Sequence, residues 1–182
     1  MLSHDSLPIQ NELSSNEKLL WSGRPPQGLL FRAADIALIP FTLMWAGFAL
    51  FWESMAIASG FFLFILWGIP FVLVGAFMVF GRFLVDAYLR NKTYYGLTDQ
   101  RAIIISGLLQ TEIKSLNLRT TSDITLNQKS DGTGSIVFGT LPPMAWMMRG
   151  TSINGMGRNM VPQFELIPDA KRVYELIRTV QG

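Results

Sequence analysis

The chain has 182 residues, 49% of them apolar and only 15% charged, and its net charge is +2. It carries no cysteine, which excludes disulfides, thiolate metal centres and a cysteine nucleophile. Its single histidine, His4, lies in a polar segment, which argues against a histidine metal site or a Ser-His-Asp triad, and the weak charge with no Lys/Arg-rich run argues against nucleic acid.

Residues 1–17 read as a polar, mildly acidic N-terminal tail without the apolar stretch of a signal peptide. Residues 18–34 follow as a short strand, Lys18-Leu-Leu-Trp-Ser22, ended by Gly23 and Pro25-Pro26, and a segment leading into the apolar region. From Ala33 to Gly81 there is neither Lys nor Arg. Two apolar runs fill this stretch, Ile36–Trp52 and Gly60–Gly81. Each is close to the roughly 20 residues that cross a hydrocarbon core. Residues 35–90 therefore read as a transmembrane helical hairpin, turning over Glu53–Ser59, whose second helix continues through Arg82-Phe-Leu-Val-Asp-Ala-Tyr-Leu-Arg90 into the cytosol.

Arg24 and Arg32 precede the first run, Arg82, Arg90 and Lys92 follow the second, and the turn has only Glu53. The positive-inside rule then places both termini in the cytoplasm. Asp35 and Glu53 read as water-facing residues at the two ends of the first span rather than as a proton relay. Trp52 sits where an interfacial ring belongs, whereas Trp45 and Trp67 lie within the runs. Pro40 and Pro70 predict kinks and not breaks. Gly47, Gly68 and Gly75 read either as points of close helix approach or as ordinary membrane-helix composition.

Beyond Lys92 the period changes to that of strands. Tyr94–Thr98 and Ala102–Ser106 form a hairpin around Asp99-Gln100. Leu109, Thr111 and Ile113 alternate with polar residues as a half-buried strand. Ser122–Asn127 and Ser135–Gly139 flank a turn at Lys129–Gly134. At the C-terminus, Pro168-Asp169 opens a helix whose Val173, Leu176, Ile177 and Val180 share one face. Residues 93–182 thus read as a cytoplasmic α+β domain: a bent antiparallel sheet or barrel capped by a C-terminal α-helix.

Four segments in this order resemble the bacterial pleckstrin-homology-like (PH-like) membrane protein family: Leu20-Trp-Ser-Gly-Arg-Pro25, Tyr95-Gly-Leu-Thr-Asp-Gln-Arg101 with Ile103–Leu108, Leu116–Ile124, and Phe164-Glu-Leu-Ile-Pro-Asp169. Thr121 departs from the family pattern at a position that is usually apolar. The resemblance implies seven strands closed by the C-terminal helix, and it implies no shared enzymatic activity.

The carboxylates Asp86, Asp99, Asp123 and Asp131 read as turn or helix-surface residues without a catalytic pairing, and Gly132-Thr-Gly134 is no phosphate loop because it joins two strands and no lysine follows. Thr140–Pro162 is the most unusual stretch. Its methionines either fill core in an irregular strand pair turning at Asn154-Gly155, or Met144, Trp146, Met147 and Met148 form a loop touching the bilayer or a partner. The favoured function is a non-enzymatic, cofactor-free inner-membrane protein whose cytoplasmic domain binds other membrane proteins, or itself, in assembling complexes. The alternative is an anionic-lipid sensor using Arg24, Arg32, Arg82, Arg90 and Lys92 as membrane-interface cations. An enzyme acting on a membrane substrate is the weakest reading, because no nucleophile–base pair can be named.

Overall fold

In the computed structural model, residues 7–32, 35–107, 110–121, 123–140 and 161–181 are described. The strand at Leu109 and the methionine-rich segment with Met144, Trp146, Met147 and Met148 fall wholly or partly outside them.

The apolar runs form two antiparallel helical arms, both long and apolar enough to cross a membrane. The first is α2, Asp35–Ser59, which follows a short helix α1 at Leu7–Gln10 and strand β1 at Leu19–Gly23. The second comprises α3 (Phe62–Ala76), a π-helical turn at Phe77–Gly81, and α4 (Arg82–Asn91). Helix α2 does not stop at Glu53 as expected. It continues to Ser59 because Met55, Ala56, Ile57 and Ala58 favour helix, and the Ser54 and Ser59 hydroxyls donate back to the carbonyls of Phe51 and Ala56 at 2.6 and 2.7 Å. The reversal is instead at Gly60, whose φ of 68° suits glycine. Both helices run unbroken through Pro40 and Pro70.

The arms meet along a seven-residue repeat. Asp35, Thr42, Ala49 and Ala56 are the buried residues of α2, and Gly68, Gly75 and Arg82 are buried on the facing arm. A period of seven is that of left-handed helix packing, and small residues let the backbones approach. At Gly75 an added Cβ would lie 3.2 Å from the Ala46 Cα and press on the facing backbone, while nothing lies within 4 Å at Gly47.

Among the described residues, seven strands form two antiparallel sheets. The first has the order β1-β2-β3-β4, with β2 at Tyr94–Thr98, β3 at Arg101–Ser106 and β4 at Glu112–Asn117. The second has the order β5-β6-β7, with strands at Ile124–Gln128, Gly134–Phe138 and Gln163–Ile167. The C-terminal helix α5, Ala170–Gln181, covers the core. Ala170, Val173 and Ile177 are buried there against Tyr95, Leu97, Ile136, Phe138, Phe164 and Ile167, with Leu176 and Val180 partly buried beside them. Leu118, from the segment with the family-like spacing, is also fully buried, whereas Thr121 stays at the rim.

The N-terminal segment is not only a polar tail. Ile9 of α1 is fully buried with Ile103 and Ile105 on a second face of the first sheet, flanked by Leu13, Leu19 and Tyr94. It occupies the hollow above Gly96, where a Cβ would come within 2.5 Å of the Ile9 Cγ2. Glu17 then ties the segment down. Its carboxylate accepts from Arg101 Nε and Nη2, both at 2.8 Å, and from the Thr98 hydroxyl at 2.7 Å. The Arg101 hydrogen bonds outweigh the opposing effect of burial, and with the Ser14 amide and Thr98 they pull the Glu17 pKa down to about 2.

Candidate functional site at the hairpin–sheet junction

Where the hairpin meets the sheets, α4 presents Asp86 and Arg90 one turn apart, an i,i+4 spacing that puts both on one face. Arg90 is wholly buried and its Nε donates to Asp86 at 2.8 Å. Its other nitrogens donate to the carbonyls of Pro26 and Gly28, the latter at 2.7 Å. The Pro25-Pro26-Gln27-Gly28 turn wraps this guanidinium: Gln27 Nε2 returns the contact to the Arg90 carbonyl at 3.2 Å. Gly28, at φ 84°, supplies the left-handed corner that aims its carbonyl inward.

Arg32 bridges outward from there. Its Nη2 lies 3.1 Å from Asp86 and 2.8 Å from Glu165. Burial disfavours its charge, but Glu165 and Asp86 outweigh that cost and hold its pKa above the ordinary arginine value. Glu165 reaches Arg32 because β7 is irregular. Leu166 has φ 48° beside a register shift against β6, and its amide donates to the Ser135 hydroxyl at 3.0 Å. Strict alternation would send Phe164 and Ile167 to opposite faces. The bulge lets both enter the core, each fully buried, while Glu165 turns to the junction.

The third pair closes the helix seam. Arg82 Nη2 lies 3.3 Å from Asp35 Oδ1, and its guanidinium sits over the Phe83 ring at 4.5 Å. Asp35 also fixes the chain's entry into α2, its Oδ2 accepting from the Arg32 amide at 2.7 Å while its own amide donates to the Arg32 carbonyl at 2.9 Å. Arg32, Arg82 and Arg90 thus balance Asp35, Asp86 and Glu165, and all are largely sheltered. Such an arrangement is costly to disrupt: removing one partner strands a buried charge.

The five cations expected at a membrane interface therefore divide. Arg32, Arg82 and Arg90 turn onto carboxylates and carbonyls at the junction. Arg24 lies over the Tyr94 ring at 4.5 Å and donates to the Asn91 carbonyl at 2.5 Å. Lys92 is exposed, its ammonium 4.5 Å from the Tyr88 centroid. Asp35 and Asp86, expected to face water, are buried instead because arginines meet them. Asp99, Asp123 and Asp131 do fix loops: they accept from the Lys18 amide, the Thr140 hydroxyl and the Thr133 amide and hydroxyl. The partners of Arg32 lie 54 and 133 positions away, beyond any local pattern. The seven-residue spacing of Asp35 with Thr42, and of Arg82 with Gly75, is the sequence signal for the third pair.

Two clefts accompany the junction and the hairpin. A polar one of about 370 Å³ lies between Phe31-Arg32 and the second sheet, lined by Asn127, Lys129, Ser135, Gln163 and Glu165. An aromatic one of about 230 Å³ lies between the arms, lined by Trp45, Phe48, Ala49, Trp52, Trp67 and Phe71. Among the described residues, no group of three or more His, Asp or Glu side chains is placed to hold a metal ion. Comparison with known protein families, curated proteins and solved structures finds no match to this chain.

Proposed function

We propose that this is a two-span bacterial inner-membrane protein, with both termini cytoplasmic, whose seven strands and C-terminal helix make a PH-like domain that binds and assembles other membrane proteins. The observation that carries this reading is the junction network. Asp86 and Arg90 of the helix, Arg32 of the entry segment and Glu165 of the sheet form one chain of charge contacts. A domain fixed in this way meets partners in the same membrane in one constant orientation, and pre-organisation of that kind reduces the entropic cost of association. Strand β4 ends the first sheet and exposes Ile113, so the domain offers a partner both backbone and apolar contacts.

A photo-cross-linking residue at Ile113 of the full chain in native membranes tests this. Discrete adducts with one or a few membrane proteins, absent with the same probe at Lys171 on α5, are expected. Lipid adducts alone, or identical patterns at both positions, overturn it. A second reading, anionic-lipid sensing, draws on the polar cleft with Arg32 and Lys129. In nanodiscs with and without anionic lipid, that reading requires a fluorophore near Lys129 to approach the headgroups only when the charge is present. The assembly reading expects no difference, because the junction sets the height of the domain.

A further inference from the structure

Between Asp35 and Arg82 the chain has one charged side chain, Glu53, so the paired Asp35 and Arg82 mark where the apolar arms end. Helix α2 has 25 residues, about 38 Å at 1.5 Å per residue, enough for a hydrocarbon core of about 30 Å. The headgroup layer outside such a core is about 5–8 Å thick on each side. Asp86 stands one helical turn beyond Arg82 on α4, about 6 Å further out. It holds Arg32, and Arg32 holds Glu165 of β7. In a bilayer spanned by the hairpin, this line of contacts brings the second sheet down to the headgroups.

The polar cleft of about 370 Å³ opens at the same level, since Arg32 and Glu165 are part of its wall. Its charges do not cancel. Arg32 and Arg90 are answered by Asp86 and Glu165, and Lys129 adds one positive charge to the lining. Asp131, on the same turn as Lys129, lies outside the lining, and its Oδ1 accepts from the Thr133 amide and hydroxyl at 2.9 and 2.6 Å. The other polar groups of the cleft are neutral. Asn127 and Gln163 carry amides that both donate and accept, and the Ser135 hydroxyl, which accepts from the Leu166 amide at 3.0 Å, has a proton to give. The apolar side of the cleft leads onto the hairpin. Phe31 is 67% exposed, and its ring lies 5.2 Å from that of Phe83 on α4. Leu84, next along the helix, and Ile36, at the start of α2, are exposed as well.

We propose that this cleft holds the headgroup of one membrane phospholipid, a phosphodiester whose alcohol carries free hydroxyls, as phosphoglycerol does. Lys129 meets the single negative charge, Asn127, Ser135 and Gln163 hydrogen-bond the hydroxyls, and the acyl chains descend past Phe31 and Phe83. A phosphomonoester carries close to two negative charges at neutral pH and would bring the second against Glu165. A choline headgroup has no hydrogen to donate to the amide and carboxylate oxygens. A soluble phosphodiester makes no use of the Phe31–Phe83 track. Such a site rests on the reading that the hairpin spans a membrane. It is not a charge sensor, because the lipid is a fixed part of the junction and the height of the domain does not depend on it.

The full chain in detergent micelles is titrated with dioleoylphosphatidylglycerol and, separately, with dioleoylphosphatidylcholine, and bound lipids are counted by native mass spectrometry. One phosphatidylglycerol per chain is expected, held about tenfold more tightly than phosphatidylcholine, which has the same acyl chains. Lys129→Gln should weaken it about tenfold, as the loss of one charge-assisted hydrogen bond implies, with an unchanged melting midpoint because Lys129 is exposed. Lys92→Gln, which removes an exposed cation outside the cleft, should change nothing. Equal affinity for the two lipids, or equal binding by the Lys129→Gln and Lys92→Gln chains, overturns the proposal. Glycerophosphoglycerol, the headgroup without chains, is added as a competitor, and displacement at concentrations equal to those of the lipid overturns it in favour of a soluble ligand. A photo-cross-linking residue at Asn127 in native membranes should give lipid adducts, and a discrete protein adduct in their place overturns it in favour of a partner's segment. Alkaline carbonate separates the two levels of failure. A chain that carbonate extracts from membranes has no spanning hairpin, and the lipid site falls with it; a chain that resists carbonate but does not prefer phosphatidylglycerol refutes the site alone.

Discussion

Replacing Asp86 by Asn tests the junction directly. Asp86 receives Arg32 at 3.1 Å and Arg90 at 2.8 Å, so the change removes the shared anion from two guanidiniums, one of them wholly buried. Breaking a buried pair from one side costs about 3–5 kcal/mol. Asn keeps an acceptor oxygen, Arg90 keeps the Pro26 and Gly28 carbonyls, and Arg32 keeps Glu165, which together place the loss near the lower end, about 3 kcal/mol. For a chain of this size that lowers the melting midpoint by roughly 10 °C. The absence of cysteine makes a second readout simple, since labels go only where cysteines are placed. Spin labels at Ser54 and Lys171 report the distance from the hairpin to α5. Asp86→Asn should broaden that distribution as well as lower the melting point, whereas Leu84→Ala, an exposed change on the same helix, should do neither. If Asp86→Asn melts like the parent and keeps its distance distribution, the network does not hold the domain to the hairpin.

Other consequences are as specific. Truncating Ile177 to Ala should cost about 2–4 kcal/mol in chemical denaturation and Val173 to Ala somewhat less, while exposed Arg178 to Ala should cost almost nothing. Glu17 has its folded pKa lowered to about 2 from 4.5, so its stabilisation is complete above pH 4.5 and disappears as the pH falls towards 2; Glu17→Gln should flatten the acid limb of a melting-temperature profile, with a loss of roughly 1–3 kcal/mol equivalent at neutral pH that shrinks towards zero as the pH falls to 2. Gly75→Leu should force the arms apart, because the Ala46 backbone is only 3.2 Å from where a Cβ would sit, and cysteine cross-linking between the arms near that level should fall; Gly47→Leu, in open space, should leave it unchanged. A periplasm-dependent reporter fused after Gly182 should stay silent, and strong activity there would reverse the proposed orientation.

What could be read from residues alone followed local chemistry. Strand β2 runs over Tyr94–Thr98 as expected because aromatic residues precede a turn built by Asp99 and Gln100. The face of α5 with Val173 and Ile177 followed from a period that burial reproduces. The reversal of the hairpin was harder. Glu53 reads as the end of an apolar run, yet its carboxylate finds space on Gly68 and the helix passes it by. The junction was harder still. Nothing near Glu165 signals the left-handed Leu166 that turns it to Arg32, and Ile9 looks like a stray apolar residue until Gly96 is seen beneath it. These are long-range fits, in which one partner leaves a space or a charge for another far along the chain.

Strand β1 precedes the hairpin, and β2, its one strand partner among the described residues, follows it, Ser22 opposite Gly96 and Gly23 opposite Tyr95. During synthesis β1 therefore waits as an unpaired edge until both helices have been made. If the hairpin crosses a bilayer, the sheet also becomes a quality check on insertion. A chain that threads only one of its two helices leaves β1 and β2 on opposite sides of the membrane, with Arg24 cut off from Asn91 and Ile9 from its hollow. Such a product cannot complete its first sheet at all, and it shows quality-control proteases an open strand edge that the correctly inserted protein keeps closed.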